Sequence, residues 1–115
     1  MAWKRTRRVY AGVVACFPAA FSLESPKPLK TGIFYDILDS FPDLHPRELS
    51  FMMRWYTGRK AYLLAVSRRG QPRYDLAGQP CGAVGHKESY HARQRYRERM
   101  GWRSDYWPDP GSVAA

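Results

Sequence analysis

The sequence predicts an α+β fold that is mostly α-helical: one domain of about five helices with a small β-hairpin. Three observations carry this. Apolar residues recur at helical spacing in five segments, prolines and glycines separate those segments, and the stretch from Arg73 to Val84 reads as two short strands about Gly78. At 115 residues and 44% hydrophobic content, the chain has enough apolar surface for one core and no second. The organisation expected is a basic N-terminal arm over residues 1–8, a folded domain over 9–100 and an aromatic, proline-containing tail over 101–115.

The arm carries Lys4, Arg5, Arg7 and Arg8 with no acid and reads as a solvated, frayed end. Val9, Val13, Cys16 and Phe17 then follow helical spacing, predicting about three turns that stop before Pro18, with Phe21 against the same core. A Ser/Pro-rich connector, residues 22–28, leads to Pro28-Leu29-Lys30-Thr31-Gly32. There Gly32 opens a second helix, to about Phe41, with Ile33, Phe34, Ile37, Leu38 and Phe41 on one side and Asp36 and Asp39 on the other. Pro46 suits the first position of a third helix, to about Thr57, with His45 at the cap and Glu48 favouring the positive end of the dipole. Leu49, Met52, Met53 and Tyr56 form its core stripe; Arg47, Ser50 and Arg54 share a polar one. Gly58 interrupts, and Arg59 to Val66 resumes as a short helix. After the hairpin, a last helix from about Lys87 to Met100 is expected to rest on Tyr90, Ala92, Tyr96 and Met100.

Charge points to partners. Nineteen lysines and arginines against ten acids give a net charge of +9, so polyanions come first, and the many arginines suit bidentate phosphate contact and stacking on bases. Cys16 and Cys81 stand far apart with no ligands at metal spacing, so they are expected to be buried thiols in a reducing cytoplasm. No segment has the length of a membrane span, and the N-terminus makes a poor signal peptide. No membrane, metal or cofactor is therefore expected.

Lys30 sits between a proline and a glycine at a helix entrance. That is either an ordinary loop lysine or a cation placed to hold an anion. Arg47 and Arg54, roughly 10 Å apart along their helix, can reach neighbouring phosphates or simply line a solvated face. Arg59 and Lys60 place two further cations beside Tyr62. Arg73 and Asp75 share a strand face, as an ion pair or as an arginine steadied to meet a phosphate. Arg93, Arg95, Arg97 and Arg99 fall on different faces of the last helix and read mostly as solvated, with Glu88 and Glu98 as partners.

Taken in order, Phe17-Pro18 with Phe21-Ser22, Pro28-Leu29-Lys30-Thr31-Gly32-Ile33-Phe34, Arg54-Trp55-Tyr56-Thr57 with Tyr62-Leu63, Arg73 to Gly82 and His91-Ala92 resemble the ProQ/FinO domain of bacterial RNA chaperones. The resemblance spans about Val13 to Arg93. It implies a mostly helical domain that binds structured RNA, such as small RNAs, mRNA 3′ ends and terminator-type stem-loops with a single-stranded 3′ tail. It also implies post-transcriptional regulation in the cytoplasm of a bacterium, with a monomeric protein and no small-molecule substrate. By the same resemblance Lys30, Arg54, Tyr62 and Arg73 lie on the RNA-binding face, to which Arg47, Arg59 and Lys60 are added as nearby cations. Pro46 and Ser50 depart from the basic residues of relatives, and Ala77 replaces an acid before the turn glycine, which weakens the turn chemistry. The physics is compatible, because A-form RNA is recognised through phosphates, 2′-hydroxyls and ends. Lys30, Arg54 and Arg73 would meet phosphates, and Tyr62 would offer a hydroxyl or a stacking face.

Two other classes compete. A double-stranded DNA-binding module lacks a helix-turn-helix pattern here. A metal-dependent nuclease needs clustered carboxylates, and Asp36, Asp39 and Asp43 are the only such group, most simply a solvated face. No enzyme is expected.

Overall fold

The structure, a computed structural model, describes residues 3–100. Among them are five helices and one two-stranded sheet: α1 (Trp3–Cys16), α2 (Ile33–Ser40), α3 (Pro46–Thr57), α4 (Lys60–Val66), β1 (Pro72–Tyr74), β2 (Pro80–Ala83) and α5 (His86–Met100). The tail expected over 101–115 lies outside the described residues.

α3 is the central element, packed by α1, α2 and α4, and α5 lies along α4. Its predicted core stripe holds: Leu49, Met52 and Tyr56 are fully buried. His45 does occupy the cap, its Nδ1 accepting the Arg47 N–H at 3.0 Å.

α1 corrects the expected frayed arm. From Trp3 onward the basic segment is helix, because Thr6 and Val13 are buried on α1 and Tyr10 and Phe17 pack against the core, a 6, 10, 13, 17 stripe that the charge run hides. Lysine and arginine are themselves good helix formers, and Arg5 Nε reaches Glu48 Oε2 on α3 at 3.3 Å. Tyr10 stacks on Tyr56 (ring centroids 5.7 Å) and meets Trp55 edge-on (5.4 Å), joining the two helices through rings.

α2 opens at Gly32, whose φ of 87° is left-handed and suits a residue without Cβ. Ile33 and Ile37 are buried against the core.

The hairpin is shorter than expected, with a wider turn. β1 and β2 pair antiparallel, Pro72 with Ala83 and Tyr74 with Pro80, with a one-residue register shift between. Asp75 Oδ1 accepts the N–H groups of Ala77 (3.0 Å) and Gln79 (2.9 Å), so the acid two positions before Ala77 supplies the turn chemistry that Ala77 lacks. Gly78 takes the positive φ (80°). A third extended segment completes this end of the molecule: Leu29 bridges Tyr74 in parallel, with Lys30 N–H donating to Tyr74 O (2.8 Å) and Tyr74 N–H to Pro28 O (2.9 Å).

Three further expectations are corrected. Cys16 and Cys81 are exposed thiols, since Cys16 lies on the solvent side of α1 and Cys81 on an outer strand. α5 rests on Ser89, Ala92 and Tyr96, an i, i+3, i+7 stripe, with Met100 partly buried against the core, so of the four anchors expected only Tyr90, 49% exposed, is misplaced. Ser89 can line that buried stripe because its hydroxyl donates back to His86 O at 2.9 Å. Arg93 is not solvated: its Nη1 donates to Ser67 O at the end of α4 (3.0 Å). Glu88 accepts from Gly85 N–H (2.9 Å) at the start of α5.

Candidate nucleic-acid interface

Two of the candidate residues converge on the backbone of Leu29, a residue 3% exposed. The Tyr62 hydroxyl accepts its N–H at 3.1 Å, and Arg73 Nη1 donates to its carbonyl at 2.7 Å. One arginine and one tyrosine thus fasten both backbone polar groups of a single residue. α4 supplies the tyrosine and β1 the arginine. With the Tyr74 bridge, the Pro28–Lys30 segment is held like a strand and delivers Lys30 to the entrance of α2.

Lys30 is already engaged there. Its Nζ meets Asp36 Oδ2, in the first turn of α2, at 2.7 Å, both side chains remaining 35% exposed. The hydrogen bond to Asp36 and its negative charge raise the Lys30 pKa, keeping the ammonium charged. Asp36, read from sequence as part of a solvated face, is thus the lysine's counter-ion.

Tyr62 is 7% exposed, which corrects the expectation of a stacking face: the ring is packed inside, 5.6 Å from that of Tyr56. Burial raises its pKa, partly offset by the Leu29 N–H and Arg73, so the hydroxyl stays neutral. Tyr56 does a parallel job one segment earlier. Its hydroxyl accepts the Ser22 N–H and donates to the Ser22 carbonyl, each at 3.0 Å, and burial pushes its pKa up to about 12.

Arg73 is not paired with Asp75 as the strand alternation suggested, because that carboxylate is turned into its own loop. Arg47 and Arg54 are exposed on α3 and line an open depression of about 460 Å³ with Phe34, Pro46, Ser50 and Phe51. Arg54 lies over the Phe51 ring, 5.9 Å from its centroid. Arg59 lies over Trp55 (5.3 Å) and belongs with the Tyr10–Trp55–Tyr56 rings between α1 and α3. Lys60, in the first turn of α4, is exposed.

The structure adds residues that spacing did not single out. Lys27 Nζ sits 4.9 Å from the Tyr74 ring centroid, beside the Leu29 bridge; its position just before Pro28 is the signal that was there to read. Among the described residues no three His, Cys, Asp or Glu side chains gather as a metal site, and no helix is long and apolar enough to cross a membrane.

A helical domain with a small hairpin, built around an extended Pro-Leu-Lys segment with cations about it, defines a narrow structural class. The chain belongs to the ProQ/FinO family, whose model matches residues 4–105. It is 34% identical over 99 residues to the RNA chaperone ProQ of Vibrio vulnificus (strain CMCP6), covering 83% of this chain and 47% of that protein, so the chain spans about half the length of that relative. Among solved structures it is similar to a ProQ homolog from Legionella pneumophila (TM-score 0.73, 28% identity, 93% of each chain covered). The fold is also that of a FinO-like RNA chaperone from Neisseria meningitidis MC58 (TM-score 0.69, 22% identity, 87% of this chain and 83% of that one).

Proposed function

We propose that this domain is a non-catalytic RNA-binding module, an RNA chaperone or small-RNA regulator, working as a cytoplasmic monomer. It takes terminator-type stem-loops that end in a single-stranded 3′ tail. The observation that carries this reading is the Leu29 clamp, in which the Tyr62 hydroxyl and Arg73 Nη1 fix the segment that presents Lys30. A cation on a fixed strand at a helix entrance meets a phosphate without first having to be ordered. Family membership and the net charge of +9 support the same reading. Arg47, Arg54 and Lys60 extend the cationic surface along the flanking stem, and Arg59 contributes charge from behind Trp55.

The test is a titration with one terminator hairpin carrying a free U-rich 3′ tail. The comparison arms are the same hairpin without the tail, with a 3′-phosphate, and with a DNA duplex as competitor. The free tail is expected to bind best, Lys30→Ala to weaken it about 5- to 100-fold, and affinity to fall steeply with salt. Equal binding of all RNA forms would reduce the site to a basic surface, and a DNA duplex that outcompetes the RNA would refute the reading.

A further inference from the structure

On α3, Arg47, Phe51 and Arg54 are spaced i, i+4 and i+7, so they form one stripe on the solvent side of the helix. This is an unusual place for a phenylalanine. Phe51 is 38% exposed, and the two side chains flanking it on that stripe are arginines. It lines the open depression of about 460 Å³ whose other walls are Phe34 from α2, Pro46 at the start of α3, and the small Ser50. The lining contains two rings, a proline, two guanidinium groups and no acid. Its volume falls within the usual range for a small-molecule pocket, and a single nucleotide is of that size.

We infer that this depression is a subsite for one unpaired nucleotide of a bound RNA. The base lies against the Phe51–Arg54 pair and its phosphate meets Arg47. This rests on the RNA-binding reading and adds to it a base-stacking position separate from the Lys30 segment. Charge complementarity selects the occupant. A purely apolar partner would desolvate Arg47 and Arg54 without a counter-charge, whereas a nucleotide brings a π-face for the ring and guanidinium and an anion for the remaining arginine. Stacking of this kind tolerates any base, so the subsite reads the presence of an unpaired residue and not its identity.

The experiment uses the full chain and two RNA hairpins differing only by a single 2-aminopurine bulge in the stem. The bulged hairpin is expected to bind about 5- to 100-fold tighter than the paired one, with its fluorescence quenched on binding. Phe51→Leu should bring the bulged hairpin to the affinity of the paired one and abolish the quenching, while Phe51→Trp should retain both; circular dichroism checks that each variant folds. Equal affinity for the two hairpins, or a preference that survives Phe51→Leu, overturns the inference while leaving RNA binding intact. Loss of both hairpins in the wild type would refute the RNA reading itself. Concentration-dependent self-association that Phe51→Leu removes, without bulge preference, would assign the depression to a second copy of the chain and overturn the inference too.

Discussion

Tyr62→Phe removes one oxygen atom and leaves the ring. In the folded domain that oxygen accepts the Leu29 N–H at 3.1 Å, at a residue 3% exposed, so the variant strands a buried amide with no water to replace the lost partner. An orphaned buried donor costs about 1–3 kcal/mol. For a domain of this length, about 1 kcal/mol moves Tm by roughly 4 °C, which predicts a fall of about 4–12 °C. The ring packing against Tyr56 is untouched, so the loss reports the hydroxyl alone. Thermal denaturation followed by circular dichroism at neutral pH measures it, and titration of the same variant with the tailed hairpin shows how far a loosened Pro28–Lys30 segment weakens binding. An unchanged Tm would refute the clamp. An unchanged Tm with lost RNA affinity would show that the hydroxyl acts on RNA and not on Leu29.

Other perturbations test neighbouring parts. Asp36→Asn frees Lys30 from its counter-ion and should raise RNA affinity about two- to five-fold at low salt, with a steeper salt dependence; equal affinities at two salt concentrations would show that phosphate and Asp36 do not compete. Tyr56 has an ordinary pKa of 10 when unfolded and about 12 when folded, so the folded state keeps a proton that the unfolded state loses in this interval. Stability should therefore be constant with respect to this group below pH 10 and fall by about 1.4 kcal/mol per pH unit between 10 and 12. Chemical denaturation across that range should show a shallower slope in Tyr56→Phe, and identical slopes would remove the group from the alkaline transition. Gly78→Ala puts a Cβ 2.8 Å from that of Ala19 at a φ of 80°, and should cost about 1–3 kcal/mol in denaturant titrations.

Much of this architecture is written in local pattern. The order of the five helices, the bounds of α3, the stop before Pro18, Gly32 as the opening of α2 and Gly78 as the turn glycine all follow from spacing, because those signals act within a few residues of where they stand. The Pro-Leu-Lys stretch and Arg73 were visible as candidates for the same reason: residue type and position suffice to propose a cation at a helix entrance. Where local signals mislead, another one conceals them. Thr6 and Tyr10 belong to the buried stripe of α1, but four cations over residues 4–8 make that stretch read as a solvated arm.

Only tertiary structure decided who meets whom. That Tyr62 faces Leu29, 33 residues away, and that Arg73 reaches the same residue from 44 residues away, depends on how α4, β1 and the connector pack together, and no periodicity encodes that geometry. The same holds for Asp36 claiming Lys30 and for Phe51 standing exposed between two arginines. The sequence by itself determined the elements and the family, because each rests on short-range pattern and on motifs in order. The packed fold alone determined that the tyrosine works by holding a strand and not by offering its face, because burial and hydrogen-bond partners are properties of the whole core.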